Sequence, residues 1–209
     1  MQVDYKGLTL IMRAIREEDI LELVKYFSSM SLHLYTKGLF AQTPKNEFEW
    51  DEKNRKDPES CTWAIEPKDL GRAIGITSLH RINAYDNSCS SGIIIWDPEW
   101  WGQGVAGVAH IGRTYWAAYE HNRWTINSTV RTENVASRRA LERVGYTVWG
   151  TEPLTTIRRN KRLAAHHLKW IHPEMADMLF AGQVPEMYQP GLERARVTLA
   201  LASSVVTFP

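Results

Sequence analysis

The sequence predicts an α+β fold, a mixed and mostly antiparallel central sheet flanked by helices, with a C-terminal extension. Three observations predict it. The hydrophobic period changes along the chain, from strand to helix, to a run of short alternating segments, and then to two strand–helix alternations. The 209 residues suit one domain of about 150 residues with an appendage, enough to bury a full core without disulfides or metal. A hydrophobic share of 44% with 23% charged residues is that of an ordinary globular protein.

In order, Leu8–Met12 reads as a strand, and Glu17-Glu18-Asp19 opens an acidic helix whose Ile20, Leu21, Leu23, Val24 and Phe27 recur at helical spacing. Residues 28–58, with His33, Tyr35 and Gly38-Leu39-Phe40, suit a second helix and a loop. Cys61–Ile65 and Arg72–Leu79 read as hairpin partners across a turn at 67–71. A polar turn at 83–87 leads to Gly92-Ile93-Ile94-Ile95-Trp96, a buried strand by composition. Val105 to Tyr119 carries Val105, Val108, Gly112, Tyr115 and Tyr119 on one helical face. Trp124–Val130 is a strand, and Asn134 caps a helix that runs to Val144, with Gly145 at its left-handed C′ position. Tyr146–Trp149 and Leu163–Ile171 are strands joined through a hairpin around Asn160-Lys161. The domain is expected to span 1–172, and 173–209 is an extension with little internal pattern.

Composition also excludes function classes. Twenty-five basic and 24 acidic side chains leave +1, which argues against a whole-protein grip on nucleic acid. Cys61 and Cys89 lack ligand spacing, so neither a disulfide framework nor a zinc site is expected, and no metal. Met1–Lys6 lacks the order of a signal peptide, and the run 197–206 is too short to span a bilayer. The expectation is a soluble, cytoplasmic protein without a membrane partner, with a homodimer left open.

The most informative segment is Asp97-Pro98-Glu99-Trp100-Trp101-Gly102-Gln103-Gly104-Val105-Ala106-Gly107, where a buried strand turns into a glycine-opened amphipathic helix. Glycines let backbone N–H groups approach a ligand, and a helix N-terminus favours negative charge, so the segment has the chemistry of a phosphate cradle. The plain alternative is a tight turn that binds nothing. Gly102, Gly104 and Gly107 also spell the dinucleotide G-x-G-x-x-G, with Glu133 near the ribose-acid position. Six residues, Trp96 to Trp101, separate strand from glycines, and the preceding strands look antiparallel; both disfavour that reading.

Together with Asn134-Val135-Ala136-Ser137-Arg138-Arg139 opening a helix that closes in Gly145-Tyr146, about 30 residues on, this turn resembles the GNAT acyltransferases over residues 8–172. More narrowly it resembles their branch with the ribosomal-protein N-terminal acetyltransferases, which carries a Trp-Gly-basic-Gly turn and Asn-x-x-Ser. Trp101 stands where other branches often have Arg or Gln, and Gln103 replaces the basic residue beside the phosphates. The resemblance implies acetyl-CoA as co-substrate. The backbone of Gly102, Gln103, Gly104, Val105, Ala106 and Gly107 would hold its pyrophosphate. The strand with Ile94, Ile95 and Trp96 would pair with its pantetheine arm, and Asn134 would bond near the pantetheine. Arg138 or Arg139 suits either the ribose phosphate or a solvated helix face.

Acyl transfer to an amine needs a neutral nucleophile, a polarised carbonyl and an acid for the leaving thiolate. Leu141 occupies the position where many members carry the acid Tyr, and Ser137, on the same helical face, is the candidate acid; its plain role is capping beside Asn134. Ser91 stands where a Glu base is often found, and the narrower branch's carboxylate falls at 154–156, near Glu152. His80, His166 and His167 are candidate bases, and water is another. Trp100, Trp101, Trp116 and Trp149 read as core or pocket walls. The expected acceptor is a primary amine, either a small molecule or a protein N-terminus. The basic hairpin of Arg158, Arg159, Lys161 and Arg162 would favour one with an anionic group nearby; its plain alternative is a solvated charged turn. An acyl-CoA sensor without turnover and transfer to aminoacyl-tRNA are the competing classes.

Overall fold

A computed structural model describes residues 1–27, 43–158 and 161–208, with the side chains of 154–158 and 161–162 outside the description. Strands β1 (Gln2–Tyr5) and β2 (Leu8–Arg13) form a hairpin that the sequence reading missed. Its turn is Lys6-Gly7, both at positive φ (53° and 79°), the two-residue geometry that matches strand twist. Helix α1 (Glu17–Phe27) and helix α2 (Pro44–Lys56) follow. Thr43 caps α2 by accepting from the Asn46 N–H, and Pro44 fills the first-turn position that needs no N–H.

Strands β3 (Cys61–Pro67), β4 (Gly75–Asn83) and β5 (Ser88–Ile95) form the antiparallel meander expected from the alternating runs. Helix α3 (Val105–Tyr115) then passes into a wider π turn over Trp116–Glu120. Strand β6 (Thr125–Arg131), helix α4 (Val135–Arg143), strand β7 (Thr147–Arg158) and strand β8 (Lys161–Ile171) complete the strand–helix alternation. Beyond β8 come a short helix α5 (Ala176–Leu179), a long helix α6 (Gln189–Val205) and a terminal strand β9 (Val206–Thr207). Among the described residues the sheet runs β7-β8-β6-β5-β4-β3-β2-β1-β9, and β5 with β6 is its parallel pair.

Two apolar layers cover the sheet. On one face α1 and α2 close over Ile15, Ile20, Leu23, Ala64, Ile76 and Trp96. The loop entering α1 is tied to the sheet by Arg13, which donates to Asp19 at 2.6 and 3.0 Å and to Glu66 at 2.6 Å. On the other face α3, α4 and α6 bury Leu10, Met12, Val108, Leu141, Leu168 and Trp170. Gly112 allows α3 to lie on β1 and β2, since a Cβ there would come within 2.6 Å of Val3 and 3.1 Å of the Met12 sulfur. Residues 189–207 join this layer, with Ala195 and Ala202 fully buried and β9 paired to β1. Gly145, at φ 108°, ends α4 as its sequence position suggested, and a Cβ would meet Ala195 at 2.7 Å.

Candidate active site

The parallel pair β5/β6 opens into a fork. Their ladder holds only from Ser88↔Thr125 to Ser90↔Asn127. Beyond that, β5 stays with β4 to Ile95↔Gly75, while β6 stays with β8 to Arg131↔Ala165. Side chains stitch the crotch: Ser91 Oγ donates to the Asn127 carbonyl, Ser128 Oγ to the Ser91 carbonyl and Asn127 Nδ2 to the Cys89 carbonyl, each at 3.4 Å. Helices α3 and α4 start at the carboxyl ends of these two strands, so both N-termini lie at the mouth of the fork, the crevice where open α/β sheets take ligands.

Along β5 the main chain alternates sides. The Trp96 N–H goes to the Ile74 carbonyl on the β4 side, so Ile95 and Ile93 direct their peptide groups toward the fork. Trp101 reaches the Ile95 carbonyl there through Nε1 at 2.9 Å. Of the strand residues expected to meet a pantetheine, Ile95 turns its main chain to the fork, Ile94 turns to β4, and Trp96 is fully buried under α1.

Asp97 fixes the turn into α3. Its carboxylate accepts from the Glu99 N–H at 3.1 Å and from Arg72 Nη2 at 2.7 Å, and Pro98 starts a single 3₁₀ turn. Gly102 and Gly104 then take φ of 79° and 86°, a left-handed region where a side chain is strained. Nothing lies within 4 Å of where a Cβ of Gly102, Gly104 or Gly107 would stand, so the surface of the turn is open. Gly104 is the N-cap of α3 and brings no side-chain cap, and the first helical N–H with an internal acceptor is that of Val108, to the Gly104 carbonyl at 3.1 Å. The N–H groups of Val105, Ala106 and Gly107 therefore face outward at the positive end of an 11-residue helix. This open, uncapped turn fits a pyrophosphate. Gln103 is exposed and folds back, Nε2 to the Glu99 carbonyl at 2.5 Å.

Helix α4 is capped by Asn134, whose Oδ1 accepts the Ser137 N–H at 3.1 Å. Ser137 is half-buried in the first turn, and Leu141 one turn on is buried in the core. Arg138 pairs with Glu142 at 3.1 Å, with its Nε buried and unpartnered, while Arg139 and Arg143 are exposed.

Polar side chains lie on the α1/α2 side of the fork. Ser78 and His80 of β4 flank Gly92, whose missing Cβ would stand 3.3 Å from Ser78 Oγ and 3.9 Å from His80 Cε1. His167 of β8 contacts Glu152 through Nε2 at 3.2 Å and Thr129 of β6 through Nδ1 at 3.4 Å, with Trp149 at 5.7 Å between ring centres. His166, its chain neighbour, points to the opposite face and meets Thr151 at 2.8 Å. Trp101 and Trp149 are exposed, and Trp100 and Trp116 pack against the core. His33, Tyr35, Arg159 and Asn160 lie outside the described residues, as do the side chains of Arg158, Lys161 and Arg162.

The sequence reading missed Arg113, on the inner face of α3 and fully buried. It donates to Thr77 Oγ1 at 2.8 Å, the Gly92 carbonyl at 2.9 Å and the Tyr146 hydroxyl at 3.5 Å. The sequence shows only a lone cation next to Gly112 on this helix, which does not tell which way its side chain points.

Residues 9–147 match the family described as acetyltransferase (GNAT) domain. No curated protein matches the sequence. Among solved structures, the chain is similar to a spermidine N-acetyltransferase from Vibrio cholerae in complex with CoA and spermine, at TM-score 0.70 and 20% identity over 78% of this chain and 95% of that one. It is also similar to a Vibrio cholerae protein assigned as a ribosomal-protein-serine acetyltransferase, at TM-score 0.64 and 16% identity over 82% and 97%. A third structure, assigned as an acetyltransferase, aligns over 99% of this chain and 97% of its own at TM-score 0.66 and 12% identity, α6 and β9 included. These likenesses concern the fold.

Proposed function

From a chain that belongs to the GNAT acetyltransferase family, we propose an N-acetyltransferase that moves the acetyl group of acetyl-CoA directly onto a primary amine. The observation that carries this reading is the pairing of the fork with the uncapped N-terminus of α3. The turn from Gly102 to Gly107 offers main-chain donors and a helix dipole to the pyrophosphate, and the fork-facing peptides of β5 offer an edge to the amide-bearing pantetheine arm. Asn134 contributes its side-chain amide at the other helix start, and Arg138 its guanidinium to the ribose phosphate.

In the reaction the neutral amine nitrogen forms a bond to the acetyl carbon, the carbon–sulfur bond breaks, and the thiolate leaves with a proton. Ser137, with its N–H already committed to Asn134, has its hydroxyl to supply that proton. His80 and the His167–Glu152 pair are the described groups suited to take the proton from the amine. The similar structures are a spermidine N-acetyltransferase and a protein assigned as a ribosomal-protein-serine acetyltransferase; the acceptor here is a primary amine, of a small molecule or a protein N-terminus.

The experiment is a thiol-release assay with acetyl-CoA against a panel of polyamines, amino-acid-like amines and peptide N-termini, read beside thermal shift with acetyl-CoA and NADH. Acetyl-CoA should raise Tm and one acceptor class should release CoA. Stabilisation by NADH alone would return the glycine turn to the dinucleotide reading, and binding without release on any acceptor would make the protein an acyl-CoA sensor.

A further inference from the structure

Arg113 is a fully buried cation whose bonds run to Thr77 Oγ1, the Gly92 carbonyl and the Tyr146 hydroxyl, all neutral groups. It forms an ion pair with none of the described carboxylates, and its Nε is buried without a partner. An unpaired charge in the interior is costly, and Thr77 Oγ1 already donates to the Gly92 carbonyl at 3.0 Å, so that oxygen does not need the arginine for its satisfaction. The charge sits at one place in the fold, directly behind the crotch of the fork. From there Tyr146 continues the contact to Ser91 Oγ at 3.4 Å, one residue past the last β5/β6 pair.

The peptide that Arg113 holds is the one joining Gly92 to Ile93. Gly92, like Ile94, turns its carbonyl to the β4 side, and across a planar trans peptide the N–H points the opposite way, so the Ile93 N–H faces the fork and the bond from Arg113 reinforces that orientation. A cation on the carbonyl oxygen also draws electron density toward it and makes the opposite N–H a stronger donor. We propose that Arg113 is a positioning residue for acyl transfer: through the Gly92–Ile93 peptide it orients and polarises a main-chain donor for the acetyl carbonyl oxygen, and its unpaired charge favours the negative charge that gathers there. This rests on the acetyltransferase reading above. Polarisation by a fixed donor in a water-poor site is the kind of interaction that grows as the carbonyl oxygen becomes anionic.

The test uses the full chain with acetyl-CoA and no acceptor, then with the best acceptor of the panel. Thermal shift first establishes acetyl-CoA binding by the wild type; absence of binding refutes the acetyltransferase reading itself. With binding in hand, the infrared stretch of the thioester carbonyl should fall to lower frequency in the wild-type complex, shift less in Arg113→Met, and lie between in Arg113→Lys. Arg113→Met should lower kcat by about 10- to 100-fold, leave KM for acetyl-CoA within about twofold, and leave Tm unchanged or raised, because a buried unpaired cation is exchanged for an apolar chain. Equal carbonyl frequencies in wild type and Arg113→Met, or in wild type and Arg113→Lys if the methionine variant does not fold, would overturn the proposal. So would a lowered Tm with kcat per folded molecule unchanged.

Discussion

Asn134 has an observed role as the cap of α4 and a proposed one toward acetyl-CoA, and the two can be separated. Its Oδ1 caps α4 by accepting the Ser137 N–H, whereas its Nδ2 is the donor available to a ligand. Asn134→Asp keeps the acceptor and loses the donor; Asn134→Ala loses both. The aspartate variant should hold Tm near wild type and raise KM for acetyl-CoA. The alanine variant should raise KM and also lose about 1 kcal/mol in denaturant unfolding. Ser137→Ala should lower kcat by about 10- to 1000-fold while the acetyl-CoA thermal shift stays intact, and an unchanged kcat would reduce Ser137 to a first-turn residue of α4. Gly104→Val places a branched side chain at φ 86° and over the outward N–H groups, and should abolish the acetyl-CoA shift in Tm. The Gly104 turn and the Asn134 cap were legible in the sequence because glycine turns and helix caps are local: the residue type and its neighbours dictate the backbone. Arg113 was not legible in this way, since nothing local tells which way a lone basic residue on a helix points.

Helix α3 carries a second buried polar group. His110 is fully buried, and neither ring nitrogen has a hydrogen-bond partner among the described residues. Burial, with Arg113 nearby, lowers its pKa well below the ordinary histidine value. The fold therefore keeps His110 neutral, while the unfolded chain takes up a proton below about pH 6.5. Stability is complete above that value and is lost as pH falls below it, by at most about 1.4 kcal/mol per pH unit for this group. Urea unfolding between pH 8 and 5 should show that decline, and His110→Met should flatten it. Part of the slope should survive, because His172 is also lowered by burial. At this scale most strands and helices from β2 to α4 followed from periodicity and turn chemistry, but the bounds of α2 and the Ser88–Ser91 half of β5 did not. Strand β1 did not, because four residues closed by a Lys-Gly turn are too short to show a period.

For the whole molecule, the last long strand ends at Ile171 but neither the core nor the sheet does, since β9 still pairs with β1. Trp170, Leu168 and Tyr146 are covered on one face in the same cluster as Ala195, Leu199 and Ala202 of α6. We expect a chain ending at residue 172 to lose its cooperative thermal transition, because the exposed apolar layer would cost several kcal/mol at about 25 cal/mol per Å². Ala195→Leu, pressed against Gly145, should destabilise by about 1–3 kcal/mol without changing KM for acetyl-CoA. By itself the sequence determined the α+β order, the glycine turn with its helix and the Asn134 cap, because each rests on periodicity or on contacts within a few residues. Only the tertiary structure decided that β5 and β6 part after Ser90 and Asn127, that Arg113 stands unpaired behind that parting, and that residues 189–207 complete the core. Each of those depends on which distant segments share a neighbour, a matter of packing that no local pattern encodes.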